Sequence, residues 1–292
     1  MQRRLFSAAT TLALAGSSVF LSARAQAGSS LQARLQQLET AAQGRLGVTI
    51  LDTATGAIHG HRADERFMML SSFKLLASAL VLARVDRGQE SLERRITFAR
   101  TDLVTHSPVT GRFAGTADGM TLAGLCEATI TTSDNSAANF ILESCGGPAA
   151  LTRFARELGD DTTRLDRMET ELNNGTAAAL LDTTAPRAMA LTLHKLLLGS
   201  ALAPASRERL QQWLVGNTTG DQRLRAGLPA GWRVGDKTGT NQTDANDIGI
   251  AWPTNGRPPL IITAYLAESA ASSAVKEATL AGVARLAAGL VA

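Results

Sequence analysis

The sequence predicts an α/β protein in which an antiparallel sheet, flanked by helices, is interrupted by an inserted all-helical domain. Three observations predict it. Strand-like segments lie toward both ends of the chain, at residues 46–52 and again at 233–237, 247–252 and 260–266. Between about 66 and 212 the apolar spacing is mostly helical. The chain then closes on a helix with Val283, Leu286 and Leu290 on one face. Strands at the two ends find partners mainly in each other, so they meet in one sheet while the middle packs as helices beside it. The expected division is 28–65 plus 213–292 for the α/β part and 66–212 for the helical part, with the active site at their interface.

Residues 1–27 read as an export leader. Arg3-Arg4-Leu5-Phe6 precedes a weakly apolar stretch, and Ala25-Gln26-Ala27 has the small-residue spacing of a cleavage site. The stretch is too short for a membrane span. Arg-Arg-x-Phe suits the twin-arginine route of bacteria, but an ordinary secretory signal opens with the same charge, so both routes stay open. A periplasmic or secreted location follows, with no membrane contact after cleavage. The full chain has 29 basic and 26 acidic residues; Arg3, Arg4 and Arg24 belong to the acid-free leader, leaving 26 of each. A balanced chain carries no nucleic-acid footprint and no polybasic membrane patch. About 265 residues remain, ample for a large core.

The elements follow in order. Leu31, Leu35, Leu38 and Ala42 recur at helical spacing, giving an amphipathic helix over 30–42. The strand at 46–52 turns at Thr55-Gly56 into a second strand. His59 and His61 alternate on that strand and face one way, but no third ligand is near and catalytic zinc needs three, so no metal is expected. Residues 74–85 are nearly all Leu, Ala and Val, a helix buried on all sides. Glu90, Glu93, Arg94 and Arg95 read as a solvated face. Cys126 lies in an apolar run and Cys145 beside Gly146-Gly147; export permits a disulfide, but two free thiols are expected. His194 reads as a helix residue at a surface or helix contact, and Asn255-Gly256 as a hairpin turn.

Three short motifs carry the chemistry. Ser71-Ser72-Phe73-Lys74 puts a hydroxyl and an amine three residues apart, on one face if Ser71 starts the apolar helix. A serine is a poor nucleophile until something takes its proton, and a desolvated lysine has its pKa lowered far enough to help. The helix N-terminus adds N–H donors suited to an oxyanion. Alone, the motif reads as a helix start with an N-cap serine and a surface lysine. Ser133-Asp134-Asn135 precedes a helix at 137–144, where Asp134 or Ser133 would serve as N-cap. Lys237-Thr238-Gly239 continues a strand; Lys237 offers a charge to a carboxylate and Gly239 permits close approach of a ligand to the backbone.

In this order and spacing the motifs, with Arg167-Met168-Glu169-Thr170-Glu171-Leu172-Asn173, resemble the class A serine β-lactamases over about 46–266. The resemblance implies a cofactor-free, monomeric hydrolase of small-molecule β-lactams, conferring resistance. It implies Ser71 as the acylated nucleophile, Lys74 as a partner in proton transfer and Ser133 as the relay to the lactam nitrogen. Glu169 and Asn173 match the pair that holds the hydrolytic water, and Arg167 and Asp182 the ion pair closing their loop. Asn135 would bond the substrate's side-chain amide. Lys237, Thr238 and Thr240 would meet the ring carboxylate beside Gly239, and the N–H groups of Ser71 and Thr240 would form the oxyanion hole. Whether Glu169 or Lys74 is the acylation base stays open.

His106 matches an aromatic gatekeeper position, as a smaller, titratable wall or a plain loop histidine. By the resemblance, Arg223 would supply the guanidinium that other members place on the strand after Lys-Thr-Gly, where this chain has Ala245; the alternative is an unpaired surface arginine. Leu70 and Asn241 occupy the places where carbapenem-hydrolysing members carry a disulfide, which argues against broad carbapenem hydrolysis. Thr170 replaces a common proline, and the segment from Thr240 to Ala245 is short. Two rivals are a penicillin-binding transpeptidase or carboxypeptidase, which lacks the Glu169 base, and a non-catalytic β-lactam sensor, which needs a transmembrane helix or a signalling partner domain.

Overall fold

The protein is described by a computed structural model covering residues 31–291; the leader and its export route lie outside these residues. A helix over 31–42 (α1) leads into β1 (Arg45–Asp52) and β2 (Ala57–His61), joined by a turn in which Gly56 takes φ +72°. Glycine fits here because a left-handed φ costs it nothing.

Short ribbon strands β3 (Phe67–Met68), β4 (Arg95–Ile96), β5 (Met120–Thr121) and β6 (Thr183–Thr184) punctuate the middle of the chain, pairing β3 with β6 and β4 with β5. The helices there are α2 (Phe73–Asp86), α3 (Leu122–Thr131), α4 (Asn135–Cys145), α5 (Pro148–Glu157), α6 (Pro186–Leu197) and α7 (Pro204–Val215). Three of them open on proline, whose missing N–H would be unpaired at a helix start anyway. α4 is capped by Asp134, which accepts from Ala137 N, and stops at Gly146 with φ +97°. The cap is thus Asp134 rather than Ser133, and the helix runs one or two residues further each way than its apolar pattern predicts.

α8 (Leu224–Gly227) precedes β7 (Arg233–Thr240), β8 (Ala245–Trp252) and β9 (Leu260–Ala267), and α9 (Ser273–Gly289) follows. The two chain ends do meet. The sheet runs β2-β1-β9-β8-β7, antiparallel throughout, with β1 from the N-terminal part paired to β9 from the C-terminal part. Alternation along β9 sorts its two faces. Leu260, Ile262, Ala264 and Leu266 pack with Leu35 of α1 and Leu280 and Val283 of α9. Ile261 and Tyr265 face the opposite core, shared with α2, α3, α4 and α6. Both faces are covered, so β9 is buried along its whole length.

α2 runs through the middle of this second core and is buried from Phe73 to Ala83, as its composition predicts. Cys126 and Cys145 are buried free thiols. Glu90 departs from the expected solvated face. Its side chain is only 6% exposed, because Arg94 folds over it with hydrogen bonds of 2.8 and 2.7 Å while Ser91 N donates to it as well. His61 is buried rather than displayed with His59: its ring bonds Gln32 at 2.8 Å and Glu39 at 3.2 Å, tying α1 to the edge strand. His194 is half-buried in α6.

Candidate active site

The edge strand β7, the entry to α2, the entry to α4 and the loop over 164–182 converge on one cleft. A cavity of about 350 Å³ there is lined by Ser71, His106, Ser133, Asn135, Asn173, Thr219, Arg223, Thr238, Gly239 and Thr240. Nine of the twelve residues picked from the sequence line it. The other three, Lys74, Glu169 and Lys237, lie buried directly behind and bond to the lining side chains.

Ser71 sits in a 3₁₀ turn (Leu70–Ser72) that feeds α2, one step before the α-helix its apolar pattern predicts. Leu70 takes φ +48°, an uncommon conformation for a branched side chain that kinks the chain and turns Ser71 toward the cleft. Asn246 of β8 holds this turn from beneath, donating to Met68 O at 2.9 Å and Met69 O at 3.2 Å. β7 presses on it from the side. A Cβ added at Gly239 would stand 3.0 Å from Leu70 Cβ, 3.0 Å from Met69 O and 3.2 Å from Ser71 N. Gly239 lines the cleft as expected, and its missing side chain also lets the strand pack against the backbone around the nucleophile.

Ser71 Oγ donates to Glu169 Oε1 at 3.3 Å, and Lys74 Nζ lies 3.1 Å from the same oxygen. Neither the Lys74 nor the Glu169 side chain has any solvent exposure. Burial pushes Lys74 below the ordinary lysine range, against the opposing pull of the Glu169 and Asp134 carboxylates. Lys74 also donates to Ser133 O at 2.8 Å, Ser133 Oγ at 3.3 Å and Asn135 Oδ1.

Ser133 Oγ accepts from a second ammonium, Lys237 Nζ, at 3.1 Å. Two cations on its lone pairs leave the hydroxyl proton free to be donated into the cleft. Burial, and then the nearby Lys74 charge, push Lys237 well below the lysine range, with Asp236 and Asp247 opposing. Behind the strand, burial and the Asp236 charge push the Asp247 carboxyl well above its usual range.

Asn135 spends Oδ1 on Lys74 and one Nδ2 hydrogen on Thr105 O at 2.8 Å, keeping one donor for another group. Asp134 caps α4 and also accepts from Val109 N and Thr110 N, fixing the loop that presents His106. His106 forms a cleft wall with φ +64°, its ring bonded to Thr132 O at 3.1 Å.

The loop bearing Glu169 is closed by the expected pair, Arg167 Nε donating to Asp182 Oδ2 at 2.6 Å. Asp182 also accepts from Asp166 N and Arg167 N. Asn173 Nδ2 donates to Glu169 Oε2 at 2.6 Å, while Asn173 Oδ1 is buried with no hydrogen-bond partner among the described residues. That leaves one acceptor beside the Glu169 carboxylate. Asn241, from the turn after β7, reaches across to Asn173 O at 3.4 Å.

At the other end of the cleft Arg223 is buried, donating to Gly239 O at 3.1 Å, Asn246 O at 2.9 Å and Thr240 Oγ1 at 2.7 Å. Its guanidinium thus stands beside the end of β7. Thr219 Oγ1 and Thr238 Oγ1 share a hydrogen bond of 2.6 Å. Sequence reasoning missed Thr219, Asn246 and above all Asn139, which clamps Glu169 through its backbone. The signal for Asn139 was available: it lies one helical turn after Asn135, on the same face of α4.

A model of the Beta-lactamase enzyme family matches residues 30–290. The chain belongs to that family. Beta-lactamase L2 of Stenotrophomonas maltophilia is 49% identical over 251 residues, spanning 86% of this chain and 82% of that relative. A β-lactamase of Streptomyces fradiae is 48% identical over 239 residues, spanning 80% of this chain and 78% of the relative. Among solved structures, an ancestral (GNCA) class A β-lactamase superposes with a TM-score of 0.87 at 57% identity, covering 89% of this chain and 99% of its own. The family's class A members thus share this chain's fold as well as its sequence.

Proposed function

We propose that this β-lactamase hydrolyses the lactam ring of penicillins and cephalosporins through an acyl-serine intermediate, and so confers resistance to them. The carrying observation is one carboxylate with two duties. Glu169 Oε1 meets both the Ser71 hydroxyl and the Lys74 ammonium, while Oε2 meets Asn173.

Ser71 Oγ attacks the lactam carbonyl and its proton passes to the Glu169–Lys74 pair: the 3.3 Å contact is to Glu169 Oε1, and Lys74 Nζ stands 3.1 Å from that same oxygen. The oxyanion is met by the N–H groups of Ser71 and Thr240, on two segments that Gly239 lets approach. The C–N bond breaks and the nitrogen takes the Ser133 proton, which Lys74 replaces across its 3.3 Å contact with Ser133 Oγ, so the proton taken from Ser71 ends on the nitrogen and Glu169 is again a carboxylate. Lys237, Thr238, Thr240 and Arg223 receive the ring carboxylate, and the spare Asn135 donor receives the side-chain amide. Water held between the Glu169 carboxylate and Asn173 Oδ1 then attacks the ester, giving its proton to Glu169, which passes it to Ser71 Oγ as the ester bond breaks, so Ser71 leaves as the free hydroxyl and Glu169 as the carboxylate.

The enzyme acts as a monomer outside the cytoplasm, exported by its leader. Among the described residues no helix is long and apolar enough to cross a membrane.

Glu169→Ala tests the reading. Benzylpenicillin should acylate this variant and remain attached, seen as a mass increment on intact protein, with turnover reduced about a thousandfold. Undiminished steady-state hydrolysis would remove Glu169 from the mechanism and return the transpeptidase alternative.

A further inference from the structure

Away from the catalytic cleft, α5 and the start of the 164–182 loop enclose a shallow hollow of about 510 Å³. Three guanidiniums line it, those of Arg153, Arg156 and Arg164, against a single carboxylate, Asp166. Arg153 and Arg156 are three apart on α5 and so share a face. The hollow is firmly built. Thr152 Oγ1 donates to Leu165 O and accepts from Leu165 N, both at 2.9 Å, which laces the helix to the loop.

The cations are unequally compensated. Arg164 is matched to Asp166, with Nε contacts of 3.1 and 2.9 Å to its two oxygens. Arg156 meets only neutral acceptors, the carbonyls of Asp160 and Thr163. Arg153 is exposed and has no hydrogen-bond or ion-pair partner among the described residues. Arg66 lies close enough behind for the charges of Arg156 and Arg164 to add to the burial that lowers its pKa, against the opposing pull of the Asp160 carboxylate.

A second hollow differs in this respect. Arg187 and Lys195 share it with Asp64, Asp160 and Asp161, and Arg187 is already paired to Asp64 at 2.7 Å. The Arg153 hollow thus carries an excess of positive charge that this second hollow lacks; a third, with Arg34 and Arg285 on α1 and α9, is also cationic but offers two guanidiniums rather than three. Forked guanidinium donors around a concave, solvated site fit a tetrahedral oxyanion, which accepts several N–H groups at once.

We propose that the Arg153–Arg156–Arg164 hollow binds a phosphate dianion, either free or as the phosphoryl group of a monoester. The bound anion engages Arg153 and Arg156 and shares Arg164 with Asp166. Asp166 N in turn donates to Asp182 Oδ1 at 2.8 Å and Asp182 N to Asp166 Oδ2 at 3.0 Å, so the anion sits at the neck of the loop that carries Glu169.

The test titrates inorganic phosphate and methyl phosphate into the intact enzyme by calorimetry, at fixed ionic strength, for the wild type, Arg153→Ala and Arg153→Lys. Arg153 holds nothing else in place, so both variants should fold and keep penicillin hydrolysis, which serves as the control. The expected result is saturable one-to-one binding, about tenfold weaker in Arg153→Ala, the loss of one charge-assisted contact, and intermediate in Arg153→Lys. Methyl phosphate binding as well as phosphate supports the site and assigns it to a monoester; weaker binding supports it and assigns it to the free ion. No saturable binding, or equal affinity in Arg153→Ala, overturns the proposal.

Discussion

Asn139 holds Glu169 by both of its backbone polar groups: Asn139 Nδ2 donates to Glu169 O at 2.8 Å, and Glu169 N donates to Asn139 Oδ1 at 2.9 Å. The amide pairs with the N–H and C=O of one residue, as a facing strand would. It fixes a loop residue to a rigid helix, so the carboxylate is aimed by α4 and not by the loop itself.

Removing that clamp should therefore hurt turnover more than binding. Asn139→Ala leaves a buried N–H and a buried C=O unpaired, at a cost of about 1–3 kcal/mol each. The expected outcome is a fall in kcat of at least tenfold, accumulation of the acyl-enzyme and a lower Tm. A stopped-flow burst with a chromogenic cephalosporin separates the two steps: acylation should survive better than ester hydrolysis.

Gly239→Ala should move the nucleophile. The added methyl meets Leu70 Cβ and Met69 O at 3.0 Å, and both belong to the turn that Asn246 already pins. The turn has little room to yield, so overpacking of about 1–3 kcal/mol is expected, with loss of acylation rate. An unchanged acylation rate in this variant would show that the turn gives way freely.

Lys237 sets an alkaline limit. Burial lowers its pKa, so its charge disappears at a lower pH than that of an ordinary lysine, about 10.4. For substrates bearing a ring carboxylate, kcat/KM should fall as pH rises through that lowered value. Lys237→Arg, which cannot deprotonate in this range, should shift the alkaline limb upward even if the plateau drops. The pH profiles of the two proteins make the comparison.

Acid stability should depend on Glu39, far from the cleft. Burial alone would raise its pKa, but hydrogen bonds from Arg62, Leu46 N and His61 outweigh burial and bring it down to about 2. A carboxylate lowered in the folded state stabilises the protein above its unfolded pKa, and the contribution is lost as pH falls. The loss should run between about 4.5 and about 2, and amount to about 3 kcal/mol at most. Thermal melts across that range, with Glu39→Gln as the comparison, check it: the variant should start less stable at neutral pH and lose less on acidification.

Much of this site was legible before any coordinates. Ser71, Lys74, Ser133, Asn135 and Lys237 are tied to motifs a few residues long, and each motif sits at the boundary of an element whose periodicity is local. Other features were not legible. The packing of Gly239 on Met69 and Leu70 could not be read, because those neighbours stand far away in the chain. Glu90 looked solvated because spacing does not tell which of two paired side chains lies underneath. The burial of His61 could not be read, because Glu39 and Gln32 reach it from α1.

By itself the sequence determined the chemical inventory: a serine with a lysine one turn on, a carboxylate in a closed loop, a cationic strand end, and strands at both termini that had to pair. Only the tertiary structure decided that Ser71 and Glu169, 98 residues apart, meet at 3.3 Å, that neither Lys74 nor Glu169 touches solvent, and that Asn139 aims the base. The physical reason is range. Helix periodicity, caps and turns arise between near neighbours in the chain, whereas desolvation and hydrogen-bond distance depend on which distant segments share one core.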